Sequence, residues 1–126
     1  MATIEITKDN LQSAIEGEGI VLLDFWAEWC GPCRAFGPVF EKASEDSDDI
    51  VFGKVDTEAQ RELAASFQIT SIPTLMAFRD GILVFSQPGA LGPVQLGQVI
   101  SGVRGLDMDE VRTKVEEATR AGGSMP

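Results

Sequence analysis

The sequence predicts an α/β fold: a central mixed five-stranded sheet flanked by helices on both faces, with an extra helix at the C-terminal end. Three observations carry this. Short apolar runs of strand length alternate with segments of helical period. Asp80-Gly81 sits between two apolar runs and signals a hairpin. A fresh helix start appears late, at Asp107.

Taken in order, Ala2, Ile4 and Ile6 alternate with Thr3 and Glu5, the period of a half-buried strand. Thr7 is placed to cap a helix through Glu16, with Leu11, Ala14 and Ile15 on one face, and Gly17 and Gly19 end it. Ile20 to Trp26 is apolar on both faces and is therefore expected at the centre of the sheet. A helix is expected from near Cys33 to Asp46, kinked at Gly37-Pro38, because proline removes a helix hydrogen bond and crowds the preceding turn. Ile50 to Val55 is a strand, and Glu58 to Phe67 a helix with Leu63, Ala64 and Phe67 on one face. Thr74 to Phe78 and Ile82 to Phe85 are the hairpin strands.

Pro93 opens a helix that closes near Gly105, with Leu96, Val99, Ile100 and Val103 at helical spacing. Asp107 and Glu110 stand in capping-box spacing, with Leu106 and Val111 as a staple, ahead of a narrow stripe of Met108, Val111, Val115 and Ala118. The order is βαβαβαββαα. Right-handed crossovers make the early strands parallel, and the hairpin adds antiparallel pairing at one side. Residues 1–105 are expected to form one domain, 106–121 a helical extension packed on it, and 122–126 a disordered tail.

Composition excludes several function classes. The chain of 126 residues carries a formal charge of −10 and no histidine. That charge disfavours nucleic acid and anionic membrane surfaces, and no run approaches the about 20 apolar residues of a membrane span. Without histidine, neither Ser-His-Asp nor Cys-His catalysis is available within the chain. Two cysteines cannot supply a four-ligand structural zinc site. The N-terminal residues lack the basic and apolar regions of an export signal, so a cytoplasmic location is expected.

The chemistry concentrates in Trp29-Cys30-Gly31-Pro32-Cys33. Two intervening residues let one helical turn bring both sulfurs together. By spacing alone such a pair could be two small core residues or half of a metal site. Here it lies between a buried strand and a helix start, where unpaired N–H groups and the helix dipole favour a thiolate, and Arg34 adds a positive charge. Gly31 permits close approach of a partner backbone, and Pro32 suits a helix start. The pair reads as a reversible dithiol: Cys30, the more exposed, attacks a substrate disulfide, and Cys33 resolves the mixed disulfide.

The run Asp24-Phe25-Trp26-Ala27-Glu28-Trp29-Cys30-Gly31-Pro32-Cys33 resembles the active-site signature of the thioredoxin family. Lys54-Val55-Asp56, Ser71-Ile72-Pro73-Thr74 and Gly89-Ala90 match further segments in order, so the resemblance covers residues 3 to 104. It implies a general protein-disulfide reductase that maintains cytoplasmic redox homeostasis. It implies no bound cofactor and no metal. Electrons would come from NADPH through a flavoprotein thioredoxin reductase, and the partners would be that reductase and disulfide-containing proteins, met by a monomer.

The resemblance also implies that Asp24 is a buried carboxylate exchanging the Cys33 proton, with Lys54 lowering its pKa. It implies a cis Pro73 facing the disulfide, with Trp29, Gly31 and Pro32 in support. Trp29, Gly31, Ile72, Pro73, Thr74, Gly89 and Ala90 would form the substrate surface, with the Ile72 backbone pairing to an extended client segment. Two departures stand out. The helix from Asp107 to Ala121 exceeds what the family usually carries, and Thr57 stands where an apolar residue is common. An oxidase or isomerase of the same fold is disfavoured because such proteins often place histidine between the cysteines. A client-binding holdase recruiting through the last helix is the reading of another class.

Overall fold

A computed structural model describes residues 2–120. The chain forms β1 (Thr3–Glu5), α1 (Leu11–Ile15), β2 (Ile20–Trp26), α2 (Gly31–Asp46), β3 (Ile50–Asp56), α3 (Arg61–Ser66), β4 (Thr74–Arg79), β5 (Ile82–Pro88), α4 (Pro93–Arg104) and α5 (Met108–Arg120). The strands form one sheet in the order β1-β3-β2-β4-β5. β1 and β2 run parallel to β3, and β4 runs antiparallel to both β2 and β5. The run that reads apolar on both faces, β2, is central as expected, with every residue from Ile20 to Phe25 buried.

Strand alternation splits the core into two layers. On one face Ile20, Leu22, Phe52, Leu75 and Ala77 pack against Phe36 and Phe40 of α2 and Leu96, Ile100 and Val103 of α4. On the other, Val21, Leu23, Phe25, Val55, Met76 and Phe78 meet Leu63 of α3 and Leu11 and Ile15 of α1. Aromatic rings continue each layer: Phe40 lies 5.2 Å from Phe52, and Phe25 5.6 Å from Phe67, centroid to centroid.

Several expectations need correction. Ile4 is exposed at the sheet edge, and of the first alternating set only Ile6 is buried. The first helix starts at Leu11 rather than after Thr7. Asn10 Oδ1 accepts the Thr7 N–H at 2.7 Å while the Thr7 hydroxyl accepts the Asp9 N–H, so the side chains build a turn first. The third helix likewise starts later, at Arg61, because Asp56 Oδ1 accepts the N–H groups of Glu58 and Ala59 in a turn.

The second hairpin strand is longer than its apolar run, ending at Pro88. A bulge explains the irregular pattern: Ala77 pairs with Phe85 but Phe78 with Leu83, so Val84 and Phe85 both lean on one core layer. At the turn, Asp80 and Gly81 both have positive φ, 53° and 81°, the conformation this dipeptide favours in a tight hairpin.

At the last helix, Asp107 Oδ1 accepts the N–H groups of Asp109 and Glu110, so the cap forms as predicted. The reciprocal half does not: Glu110 pairs with Lys114 at 3.2 Å instead. Of the expected stripe only Met108 is buried, and Val115 and Ala118 face solvent. The hairpin meets this end of the chain: Arg79 donates to the carbonyls of Val103, Arg104 and Leu106, and Arg112 pairs with Asp80 at 3.2 Å. The expected tail at 122–126 lies outside the described residues.

The side chains of Ile6 and Leu23 pack closely over Gly53 of β3. A Cβ there would lie 2.5 Å from Ile6 Cγ1 and 3.0 Å from Leu23 Cδ2. Gly53→Ala is expected to destabilise the protein by about 1–3 kcal/mol through overpacking. Urea unfolding with an unchanged midpoint would show that Ile6 moves aside freely.

Candidate functional site

β2 ends in the core and the chain turns directly into α2, so the residues between them are delivered to one end of the sheet. Cys30 is the N-cap of α2, with Gly31 and Pro32 opening the helix. Cys30 and Cys33 form a disulfide, their Cα atoms 5.2 Å apart. The Cys33 N–H, unpaired within the helix, donates to Cys30 Sγ at 3.2 Å. A thiolate formed at Cys30 by reduction would sit against that same N–H, at the positive end of the helix dipole.

Both cysteines are buried, at 4% and 5% exposure. The expectation that Cys30 is the more exposed is therefore corrected. With the sulfurs joined and Ala27, Trp26 and Ile72 packed around them, exposure does not distinguish the two. Position does, because Cys30 Sγ is the one at the helix end and the one that Ile72 O approaches, at 3.7 Å. Arg34 is not aimed at the sulfurs: its Nε donates to Glu28 O at 3.2 Å.

The remaining predicted residues divide by exposure. Trp29 is 66% exposed, and Gly31, Pro32, Gly89 and Ala90 are also at the surface. The Ile72–Pro73 peptide is cis. Pro73 and Thr74 are buried, and the Thr74 hydroxyl donates to Ser71 O. Gly89 N–H donates to Pro73 O at 2.8 Å, which brings the β5 end beside the proline. Trp29 and Ile72 line one open groove together with Thr57, Arg61, Ala64 and Ile69. The Thr57 hydroxyl and N–H both donate to Trp26 O, at 3.0 and 2.9 Å, so this polar residue is turned to the backbone.

Asp24 and Lys54 are direct partners in the parallel β2–β3 register. Asp24 is 1% exposed, and its Oδ1 has no hydrogen-bond donor. Burial pushes its carboxyl from the ordinary 3.8 up to about 7, and the Lys54 charge pulls it back. Lys54 makes no contact ion pair among the described residues. Its ammonium stands 4.9 Å from the ring centre of Trp26. In the sequence Trp26 is marked only as the end of a strand. Period-two alternation from Asp24 was the signal that could have placed it on the same face.

Among the described residues no group of three or more His, Cys, Asp or Glu side chains could hold a metal ion, and no helix is long and apolar enough to cross a membrane. The arrangement suits exchange of a disulfide with an incoming one.

Comparison with known proteins agrees. The thioredoxin family model matches residues 2–101. A Streptomyces coelicolor protein provisionally designated thioredoxin 2 is 57% identical over 122 residues, spanning 97% of this chain and 91% of its own. A thioredoxin of Alicyclobacillus acidocaldarius is 40% identical over 104 residues, 79% of this chain and 99% of its own. The crystal structure of a Malassezia sympodialis thioredoxin superposes with a TM-score of 0.72 at 34% identity, covering 81% of this chain and 91% of that one. The chain belongs to the thioredoxin family, and its chemistry is thiol–disulfide exchange at the Cys30–Cys33 pair.

Proposed function

We propose that the protein is a general protein-disulfide reductase acting in cytoplasmic redox homeostasis. The observation that carries this reading is the Cys30 sulfur at the α2 N-terminus, held by the Cys33 N–H at 3.2 Å and flanked by the Ile72 carbonyl at 3.7 Å. In the reduced protein the Cys30 thiolate attacks one sulfur of a client disulfide. A Cys30–client bond forms, and the other client sulfur leaves as a thiolate. Cys33 then attacks Cys30 Sγ, releases the second client thiolate and restores the Cys30–Cys33 disulfide. Two electrons pass to the client.

Asp24 takes the Cys33 proton in the second step. A carboxyl near pH 7 suits that task, since it exchanges protons in either direction at neutral pH. Trp29, Gly31, Ile72, Pro73, Thr74, Gly89 and Ala90 form the client surface, with the Ile72 backbone pairing to an extended segment. The protein acts as a monomer and binds no cofactor. NADPH reduces it through a separate flavoprotein thioredoxin reductase. Residues 1–105 are the catalytic domain and 106–121 an extension on it.

Replacing the resolving cysteine tests this. Cys33→Ala is expected to arrest the reaction at the mixed disulfide, so that client proteins from a cell extract stay bound through Cys30 until a reductant is added. Finding no thiol-releasable adduct would remove the reductase assignment.

A further inference from the structure

Trp26 stands out among the groups around the disulfide because of what its ring faces. Its indole Nε1 is buried and has no acceptor among the described protein groups. What the ring does contact is the Lys54 ammonium, 4.9 Å from its centre. On the helix side, a Cβ added to Gly37 would lie 3.9 Å from the same Nζ, which places the ammonium beneath α2, the helix that carries Cys33. Asp24, Trp26 and Lys54 share one sheet face, because Asp24 and Trp26 are two residues apart and Asp24 pairs with Lys54 in register.

Resting on the role proposed above for Asp24, we propose that Trp26 is a positioning residue. Its ring face holds the Lys54 ammonium under the disulfide helix, so that the charge acts on the Asp24 carboxylate without forming a contact ion pair. A lysine side chain has about 2 kcal/mol of rotamer freedom to lose, and at a sheet end it would otherwise carry its charge out to water. The ring keeps the charge near enough to favour the carboxylate yet far enough that the carboxyl still accepts a proton.

Few other charges reach Asp24. Asp56 lies next on the same strand face of β3, but its Oδ1 accepts the N–H groups of Glu58 and Ala59. From α2 come the Cys30–Cys33 pair and Glu41, whose Oε2 accepts the Thr3 hydroxyl. β4 presents Leu75 in register, and α4 packs against this layer through Leu96, Ile100 and Val103.

The test is the titration midpoint of the Asp24 carboxyl carbon, read by NMR on the oxidised protein so that the cysteines do not titrate. Lys54→Met is expected to raise the midpoint by at least about half a pH unit, since an opposite charge is lost. Trp26→Leu is expected to raise it in the Lys54 background and to give a smaller or opposite shift in the Lys54→Met background. Equal shifts in the two backgrounds would mean that Trp26 acts only by excluding water, and would overturn the proposal while leaving the Lys54 role intact. No shift in Lys54→Met overturns both.

Should Trp26→Leu fail to fold, fluorinated tryptophans serve instead, because successive fluorines weaken the cation–π attraction while nearly preserving shape. In a Trp29→Phe background, where Trp26 is the only tryptophan, the midpoint should rise with the number of fluorines. A flat series overturns the proposal.

Discussion

Cys30→Ser is expected to lower the rate of insulin-disulfide reduction by at least about 10³-fold, to the level of the reductant alone. The serine hydroxyl is not ionised at neutral pH and cannot form the sulfur–sulfur bond through which the electrons move. The fold should survive. Serine is a good N-cap, so the Cys33 N–H that Cys30 Sγ now accepts keeps a partner. The disulfide closes a loop with a sequence separation of only 3, so its loss removes little chain entropy from the unfolded state. Thermal unfolding of the variant should therefore match that of the reduced wild type. A variant that folds and still reduces insulin would assign the chemistry elsewhere.

The second large effect concerns stability. Asp24 titrates at about 7 in the folded protein and near 3.8 when exposed. Because the folded value is the higher one, the unfolded chain releases this proton first as pH rises. The contribution of Asp24 to stability is therefore fully present below 3.8, falls as pH rises from 3.8 to 7, and is lost above it. At 1.36 kcal/mol per pH unit, the window corresponds to a loss of roughly 4 kcal/mol, a large share of a domain's total. Asp24→Asn keeps the shape and removes the ionisation. It should stabilise the oxidised protein at pH 8 by up to about 4 kcal/mol and flatten its profile across the window. Urea unfolding at intervals from pH 4 to 9 measures this, and a slope that persists in Asp24→Asn would show that another group carries it. A disulfide enzyme thus keeps a destabilising carboxyl where proton exchange needs one.

Much of the fold was legible because hydrophobic period is a local property. β2 reads as central from its unbroken apolar run, and its bounds, Ile20–Trp26, are those expected. Asp80-Gly81 marks a turn because few residues adopt two positive φ values in succession. The errors fall where side chains compete with the helix for backbone N–H groups, as at Thr7 to Asn10 and Asp56 to Ala59, and where a bulge breaks alternation at Val84. Spacing also could not rank the exposure of two cysteines one helical turn apart.

The sequence by itself determined the redox pair, its place between a buried strand and a helix start, and the family. Those rest on residues adjacent in the chain. Only the tertiary structure decided what surrounds the pair: that Asp24 is buried without a hydrogen bond at Oδ1, and that Lys54 meets Trp26 instead of the carboxylate. It likewise decided that Ile72, 42 positions away, lays its carbonyl beside Cys30. Burial and charge separation depend on strand register and helix packing, which join segments distant in sequence, and a carboxyl's proton affinity depends on both.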